Sequence, residues 1–424
     1  MEFTVSKSDL VRELGLSQGV VEKKTTIPIL SNVLLEAADD HVTITATDLE
    51  LGIRCFCPAR VKKEGSGTVP ARRLLDYTRL LPEGDLNIKF QENQWATIIC
   101  GRSKTRIAGM SRESFPELPA MPDAIAEVPI KLLASMINRT AFAISSEESR
   151  FTLNGALFLM RAEGFTMVAT DGHRLAFVQA PLSKGPADVQ QFPAQVPRDT
   201  ADDANPEGKA AYPQEGAAAG AADSRRLSVA QSPPPRGMGA TQQFRVLIPR
   251  KAMGELVKLA EDAGPEDKVF FSDDDNHLFF QVGNRLLMTR KLTGNFPDFE
   301  RVLPRDYSLT ATLQKDEIKA AIERVAQFAD IRSRAIRVQF SSGEVHIFSS
   351  SAETGDSEES VSALYEGPNL EIGFNAQYLL DFLRAIPQDQ VSFELKDQKS
   401  AGELRPAGEG IADQYRYVVM PMRI

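Results

Sequence analysis

Apolar and polar positions along the chain fall into an arrangement that recurs in one frame. In VPARRLLDYTRLLP (69–82), an extended apolar residue leads into Pro70 and then into a short amphipathic run. The frame returns as IPRKAMGELVKLAE (248–261) and FNAQYLLDFLRAIP (374–387). In register, Asp76 aligns with Glu255 and Asp381, Arg79 with Lys258 and Arg384, and Leu74 with Met253 and Leu379. Apolar residues three and four apart predict a helix, and Pro70, Pro249 and Asn375 mark its start. A helix repeated in one frame is a repeated supersecondary unit.

Each copy is followed by strand-like segments and then by a proline, in Phe115-Pro116, Phe296-Pro297 and Met420-Pro421. The spacings between copies alternate between a longer and a shorter value. ITATDLELGI (44–53) and MVATDGHRLAF (167–177) repeat at the shorter one, about 125 residues, as expected of a domain-sized repeat. The chain therefore reads as three similar domains, 1–125, 126–301 and 302–424, the middle one carrying an insertion at 183–243. Period-2 alternation and β-branched residues predict strands at Glu2–Val5, Ser31–Glu36, Val42–Thr47 and Gly52–Pro58. After the helix of 69–82, more follow at Leu86–Phe90, Ala96–Cys100 and Thr105–Met110. Further helices are expected at Ser8–Val21, Val128–Ser145 and Leu309–Ala329. Each domain is then two copies of strand–helix–strands. With short strand connections, the fold class is α+β with mostly antiparallel sheet.

The insertion is dense in Pro, Gly, Ala, Ser and Gln, as in GAAAGAAD and SPPPRG. It has too little apolar surface to offset its ordering entropy and is expected to be a disordered surface loop. The composition of the whole chain, 42% hydrophobic and 25% charged over 424 residues, is that of a soluble globular protein. No apolar run reaches a membrane span, and MEFTVSKSDL lacks a signal-peptide pattern, so a cytoplasmic location is expected. Cys55, Cys57 and Cys100 have no C-x-x-C spacing and are expected to be structural and buried.

Catalytic and metal chemistry finds little support. Asp171-Gly172-His173-Arg174 holds an acid–base pair with Ser145 and Ser146 upstream, but no nucleophile signature accompanies it, and Asp48 repeats the turn without a histidine. Gly101–Thr105 lacks the phosphate-loop spacing, and Asp273, Asp274 and Asp275 lack the Gly and Glu of a calcium loop. Neither a cofactor nor a metal is expected. Binding is the better reading. With an isoelectric point near 5.3 the chain is acidic overall. Yet Arg72, Arg73 and Arg79 stand on one helix, Arg250 and Lys251 at the start of its repeat, Lys24 after the first helix and Arg139 on the third. Such faces turned inward would make a basic, sequence-independent phosphate surface within an acidic body.

ATDGHRL (169–175), LNGALF (153–158), TVPARRLLD (68–76), NFPDFERVLP (295–304) and YVVMPMRI (417–424) together resemble the bacterial DNA polymerase sliding clamp, the beta subunit of the replicative polymerase. The resemblance covers nearly the whole chain outside the insertion. It implies a DNA clamp fold: a head-to-tail homodimeric ring with helices lining a hole and sheets outside. Such a ring has no enzymatic activity. It encircles double-stranded DNA and tethers the replicative polymerase and other clamp-binding peptides, and an ATP-driven clamp loader opens it. By matched position it implies a peptide pocket of Leu153, Thr170, Gly172, His173, Arg174, Leu175, Pro297, Arg301, Val302, Val418, Val419, Met420, Pro421, Met422, Arg423 and Ile424. DNA contacts would come from Lys24, Arg72, Arg73, Arg79, Arg139, Arg150, Arg250 and Lys251, and the subunit interface from Thr105, Ile107 and Phe328. The chain departs from the family pattern at Phe151-Thr152, Glu300 and Ile424. The alternative is a non-ring scaffold of the same fold that binds peptides without DNA.

Overall fold

Strand, helix, three strands: this order occurs six times, twice in each domain. A computed structural model describes residues 1–21, 26–147, 149–161, 163–181, 244–353, 355–408 and 413–423. The expected insertion, Lys24 and Ile424 lie outside the described residues. Residues 1–182 and 234–424 belong to one compact unit.

Domain 1 runs β1 (Glu2–Ser6), α1 (Lys7–Ser17), β2 (Asn32–Ala38), β3 (His41–Thr47) and β4 (Leu51–Lys63). Its second half runs β5 (Gly65–Pro70), α2 (Ala71–Leu80), β6 (Asp85–Phe90), β7 (Trp95–Cys100) and β8 (Ser103–Ala108). Domain 2 repeats this as β9 (Ala126–Pro129), α3 (Ile130–Thr140), β10 (Gly155–Arg161), β11 (Gly164–Thr170) and β12 (Arg174–Pro181). Then come β13 (Phe244–Pro249), α4 (Arg250–Glu261), β14 (Lys268–Asp273), β15 (His277–Val282) and β16 (Arg285–Arg290). Domain 3 opens with β17 (Leu309–Gln314), α5 (Lys315–Val325), β18 (Ala335–Ser341), β19 (Glu344–Ser351) and β20 (Gly355–Leu364). It closes with β21 (Leu370–Asn375), α6 (Ala376–Ala385), β22 (Gln390–Leu395), β23 (Gly402–Ala407) and β24 (Gln414–Val419).

The helices start where strands end. α2, α3 and α4 follow Pro70, Pro129 and Pro249, while the Asn375 side chain accepts from the Gln377 and Tyr378 amides at the head of α6. The expected helices are trimmed for the same reason: 128–129 close β9 and 309–314 form β17. Residues 141–143 continue α3 only as a 3-10 turn. Paired helices lie on one side of the sheets. Their apolar faces (Leu10 and Leu14, Leu74 and Leu75, Leu133 and Ile137, Met253 and Leu256) enter one continuous core with Cys55, Cys57 and Cys100. Burial pushes the Cys57 thiol up to about 12 and Cys55 upward as well, which makes both poor nucleophiles. No helix among the described residues is long and apolar enough to cross a membrane.

Among the described residues all strand pairings are antiparallel, and two of them join domains. β4 gives one part of an edge to β1 and the other to β16, with Leu51 opposite Thr289 and Cys55 opposite Arg285. β12 pairs β24 in the equivalent way, with Arg174 opposite Val419 and Leu175 opposite Val418. Each junction is sealed on the helix side by an ion pair, buried at the first and half-buried at the second. At the first, Arg285 on β16 donates Nε and Nη2 to the two Glu13 oxygens of α1, both at 2.8 Å, and reaches Asp262 at 3.2 Å. Lys251 of α4 pairs with Asp48 of the β3–β4 turn across the same boundary.

Burial alone would raise the Glu13 carboxyl, but its bonds to Arg285 and Arg12 hold it below the ordinary value. A depressed carboxylate contributes stability that is present at neutral pH and lost as pH falls from the ordinary glutamate range through its folded value. Removing it leaves the Arg285 guanidinium buried and under-compensated. Glu13→Ala is expected to lower stability by about 3–5 kcal/mol at pH 7, with a smaller difference from wild type in acid, as read from denaturant melts. An equal loss at pH 7 and pH 3 would mean that Glu13 acts by packing rather than charge.

Candidate functional site

The second junction carries an apolar cluster near the surface, and a tight turn borders it. Asp171 Oδ1 accepts the His173 and Arg174 amides, the Thr170 hydroxyl donates to the Arg174 carbonyl, and Thr170 Oγ1 accepts the Gly172 amide. Gly172 takes φ +92, which glycine adopts without strain. Thr47–Leu51 repeats all four bonds at the first junction, with Leu49 at φ +80 in the glycine position. The turn presents the His173 carbonyl, which accepts the Met420 amide at 2.9 Å. The tail then crosses to domain 3, where the Met422 amide donates to the Gly373 carbonyl at 2.8 Å. The C-terminal residues are thus held between two domains by their backbone, leaving Met420 41% exposed and Met422 half-buried.

Strand alternation supplies the floor. Leu157, Val168, Leu175, Phe177, Leu247 and Val418 leave the outer sheet face and form a cluster separate from the helix-side core. Their neighbours Phe158, Met167, Ala169, Ala176 and Val419 point the other way, into that core. The strands are therefore apolar on both faces. The segment after β16 covers the outer face through Phe296 and Phe299, with Leu153, Leu292, Val302 and Leu303 half-buried around them. Pro297 and His173 are exposed on the rim, as are Arg423 and Arg301, the last paired with Asp298 at 2.8 Å. The structure thus brings Leu153, Leu175, Val302 and Val418 into one apolar cluster. Met420 and Met422 stand on the adjoining tail, and Val419 belongs to the core behind.

Arg174, which the resemblance implies for the peptide pocket, turns away from the apolar cluster. Strand alternation turns its side chain to the helix face, where Nε donates to Asp171 at 3.0 Å, Nη1 to Asp381 of α6 at 2.6 Å and Nη2 to the Phe142 carbonyl at 2.5 Å. Its guanidinium stacks over Tyr378 at 4.3 Å, beside the buried Tyr417 ring, itself stacked on Phe382. Burial alone would lower its pKa, but Tyr417, Asp381 and Asp171 raise it. Arg174 staples domains 2 and 3 as Arg285 staples domains 1 and 2. Nothing in the local sequence points to Asp381, 207 positions away.

The basic residues divide in the same way. Arg72, Arg73, Arg79 and Arg250 are exposed on their helices, Arg72 only loosely paired with Asp76 at 3.6 Å. Arg139 is engaged at the second junction, 2.8 Å from Asp413, and Lys251 at the first. Arg150 lies at the groove turn, where it donates to the Asp171 carbonyl at 2.8 Å and pairs with Glu147. Lys131 bridges α3 to the Ala260 carbonyl of α4. Thr105 and Ile107 face inward from β8, with Ile107 in the core, and Phe328 lies 3.9 Å from the Cβ position of Gly355 at the start of β20.

Asp171 spends its oxygens on the turn and on Arg174, away from any acid–base pairing with His173. Sequence reasoning also missed a Ser360–His346–Glu344 contact series, 2.7 and 3.0 Å apart. It stands on an exposed strand pair, open to water, where nucleophilic catalysis has no enclosed substrate position. No group of three or more His, Cys, Asp or Glu among the described residues could hold a metal ion.

Family models match the chain in three consecutive pieces. The DNA polymerase III beta subunit N-terminal domain covers residues 1–119, the central domain 127–206 and 209–298, and the C-terminal domain 300–423. The beta sliding clamp of Pseudomonas putida is 31% identical over 431 residues, covering all of both chains. That of Caulobacter vibrioides is also 31% identical, over 433 residues with the same coverage. Among solved structures, a sliding clamp (DNA polymerase III subunit beta) from Pseudomonas aeruginosa bound to griselimycin superposes with a TM-score of 0.81 at 30% identity, covering all of both chains.

Proposed function

This chain belongs to the DNA polymerase III beta-subunit family of sliding clamps, and from that membership we propose how its own residues do the work. It is a processivity clamp, which keeps the replicative polymerase on duplex DNA. We infer that it closes as a head-to-tail homodimer around the duplex and acts by topology, with no catalytic step, in the cytoplasm. A separate ATP-driven clamp loader opens the ring.

One observation carries this reading. Both internal junctions use one rule, in which the last strand of one domain pairs the fourth strand of another: β16 on β4, and β24 on β12. The chain leaves one half of the rule at each end. Among the described residues β8 pairs only β7, and β20 gives β17 only Ala363 and Leu364, leaving its first part open beyond β19. The open β8 edge carries exposed Lys104 and Arg106, and β20 carries exposed Asp356 and Glu358. Unpaired edges of opposite charge on one chain support a heterologous contact, which closes into a ring when the rotation permits. Thr105, Ile107 and Phe328 border these edges and are proposed as interface residues.

Within the ring, Arg72, Arg73, Arg79 and Arg250 are free to meet phosphates without reading sequence. Lys24, Arg139, Arg150 and Lys251 are proposed to join them, the last three after exchanging present partners. The groove is proposed to take apolar partner peptides. Leu153, Leu175, Val302 and Val418 form its lining, and Thr170, Gly172 and Arg174 shape its turn. His173, Pro297, Arg301 and the tail residues Val419, Pro421, Arg423 and Ile424 border it. The methionines supply adaptable anchors.

A closed ring does not depend on phosphate affinity for retention, whereas equilibrium binding falls steeply with salt. Protein loaded on nicked circular DNA is therefore expected to stay bound at salt concentrations that abolish its binding to short duplexes, and to leave rapidly once the circle is cut. Equal loss from circular and linear DNA with free ends would contradict encirclement. For the groove, Met420→Ala with Met422→Ala is expected to weaken an apolar partner peptide by roughly 2 kcal/mol in calorimetry, with the dimer mass unchanged. Unaltered peptide affinity would move the anchors elsewhere.

A further inference from the structure

Beyond the groove's apolar lining, a cavity of about 260 Å³ opens on the same outer sheet face. Phe177, Phe299 and Leu303 line it and also belong to the groove's apolar cluster, so the two spaces share a wall. Its remaining lining is unusually cationic. Arg161 ends β10 on the face that also carries Leu157 and Leu159, and its Nε is buried without a hydrogen-bond partner. Arg305, also in the lining, is exposed and has no ion pair among the described residues.

Arg416, the third arginine, is held rigidly. It donates to both oxygens of the fully buried Glu403 at 2.7 and 2.6 Å, and to the Pro304 carbonyl at 2.8 Å. Glu403 also accepts from Arg405 and Tyr307, so its charge is shared among several donors. Glu300 is the one acidic residue lining the cavity, and it is exposed.

A buried guanidinium N–H without an acceptor is costly, and native structures rarely keep one without a use. We propose that this cavity receives the carboxylate of an acidic side chain on a partner peptide whose apolar residues occupy the adjoining groove. The inference rests on the groove reading above. A planar carboxylate matches the fork of an arginine and gives the Arg161 Nε its missing acceptor. The apolar anchors give affinity, and the arginine cavity selects among partners by the acidity of the residue beside the anchors.

Calorimetry on the full-length protein tests this with peptides of two apolar anchors flanked by glutamate at several spacings, each with a glutamine twin. At one spacing the acidic peptide is expected to bind roughly tenfold tighter than its twin, an advantage that shrinks with salt. Arg161→Ala should remove that advantage while leaving the twin's affinity unchanged. Arg305→Ala, on the exposed rim, should reduce it without touching the fold. Equal binding of acidic and neutral peptides at every spacing would overturn the proposal and leave the groove intact. Failure of both peptides to bind would instead reject the groove. Inorganic phosphate is the control ion: phosphate binding that depends on Arg161, without any preference for the acidic peptide, would make this a free-anion site and overturn the carboxylate assignment.

Discussion

A strand edge left in water presents a row of unpaired amides and carbonyls, and this fold disposes of its edges by handing them to the next domain. β16 lies on β4 and β24 on β12, so hydrogen bonds cross each boundary as they do within a sheet. Backbone pairing of this kind does not depend on particular side chains, which lets one junction design recur in domains whose sequences have diverged. The side chains add specificity. Glu13 with Arg285 and Asp381 with Arg174 are the same device built with different residues, each tying a strand of domain 2 to a helix of a neighbouring domain. Breaking the Glu13 pair would leave a guanidinium buried and under-compensated, whereas Arg174 would keep Asp171.

The junctions also explain where the proposed peptide face sits. At the second one, β24 extends the β10–β12 sheet, and the strands are apolar on their outer face as well as their inner one. Such a face must be covered, and the segment carrying Phe296 and Phe299 covers most of it. What it leaves, beside Leu153, Val302 and the two tail methionines, is the face proposed to take partner peptides. At the first junction the equivalent of Leu175 is Gly52, whose added Cβ would meet Leu118 and Met288 at 3.0 Å. There the chain's own Leu118 stands against the position that Leu175 takes at the second junction, so the two described occurrences of the turn differ in what faces them.

The repeat was legible from the spacing of apolar residues and prolines, because period and turn chemistry are local. Helix and strand types followed from it, while the burial of all three cysteines was legible from their lack of a metal-ligand or redox spacing. Boundaries were less legible. β4 runs on through Pro58 to Lys63 because β1 takes over its outer edge at Ala59, a partner far earlier in sequence. The site was legible as a set of positions but not as orientations. Leu175 and Arg174 are neighbours in sequence and face opposite sides of the sheet. Arg139 and Lys251 look like free cations until Asp413 and Asp48 are folded beside them. The apolar run in LNGALFLM was the available signal that both faces of β10 are covered, since one-sided strands alternate.

The central claim is that the open edges of β8 and β20 complete the junction rule between two copies of the chain. Lys104→Cys combined with Glu358→Cys places one thiol on each edge, while Cys55, Cys57 and Cys100 stay buried and out of reach of a bismaleimide. The account predicts that bridging this variant yields a covalent species of exactly two chains with no native thiol consumed, and that either single substitution yields no bridged product. Monomers that fail to bridge, or a ladder of ever-larger polymers from an interface that does not close, would contradict it.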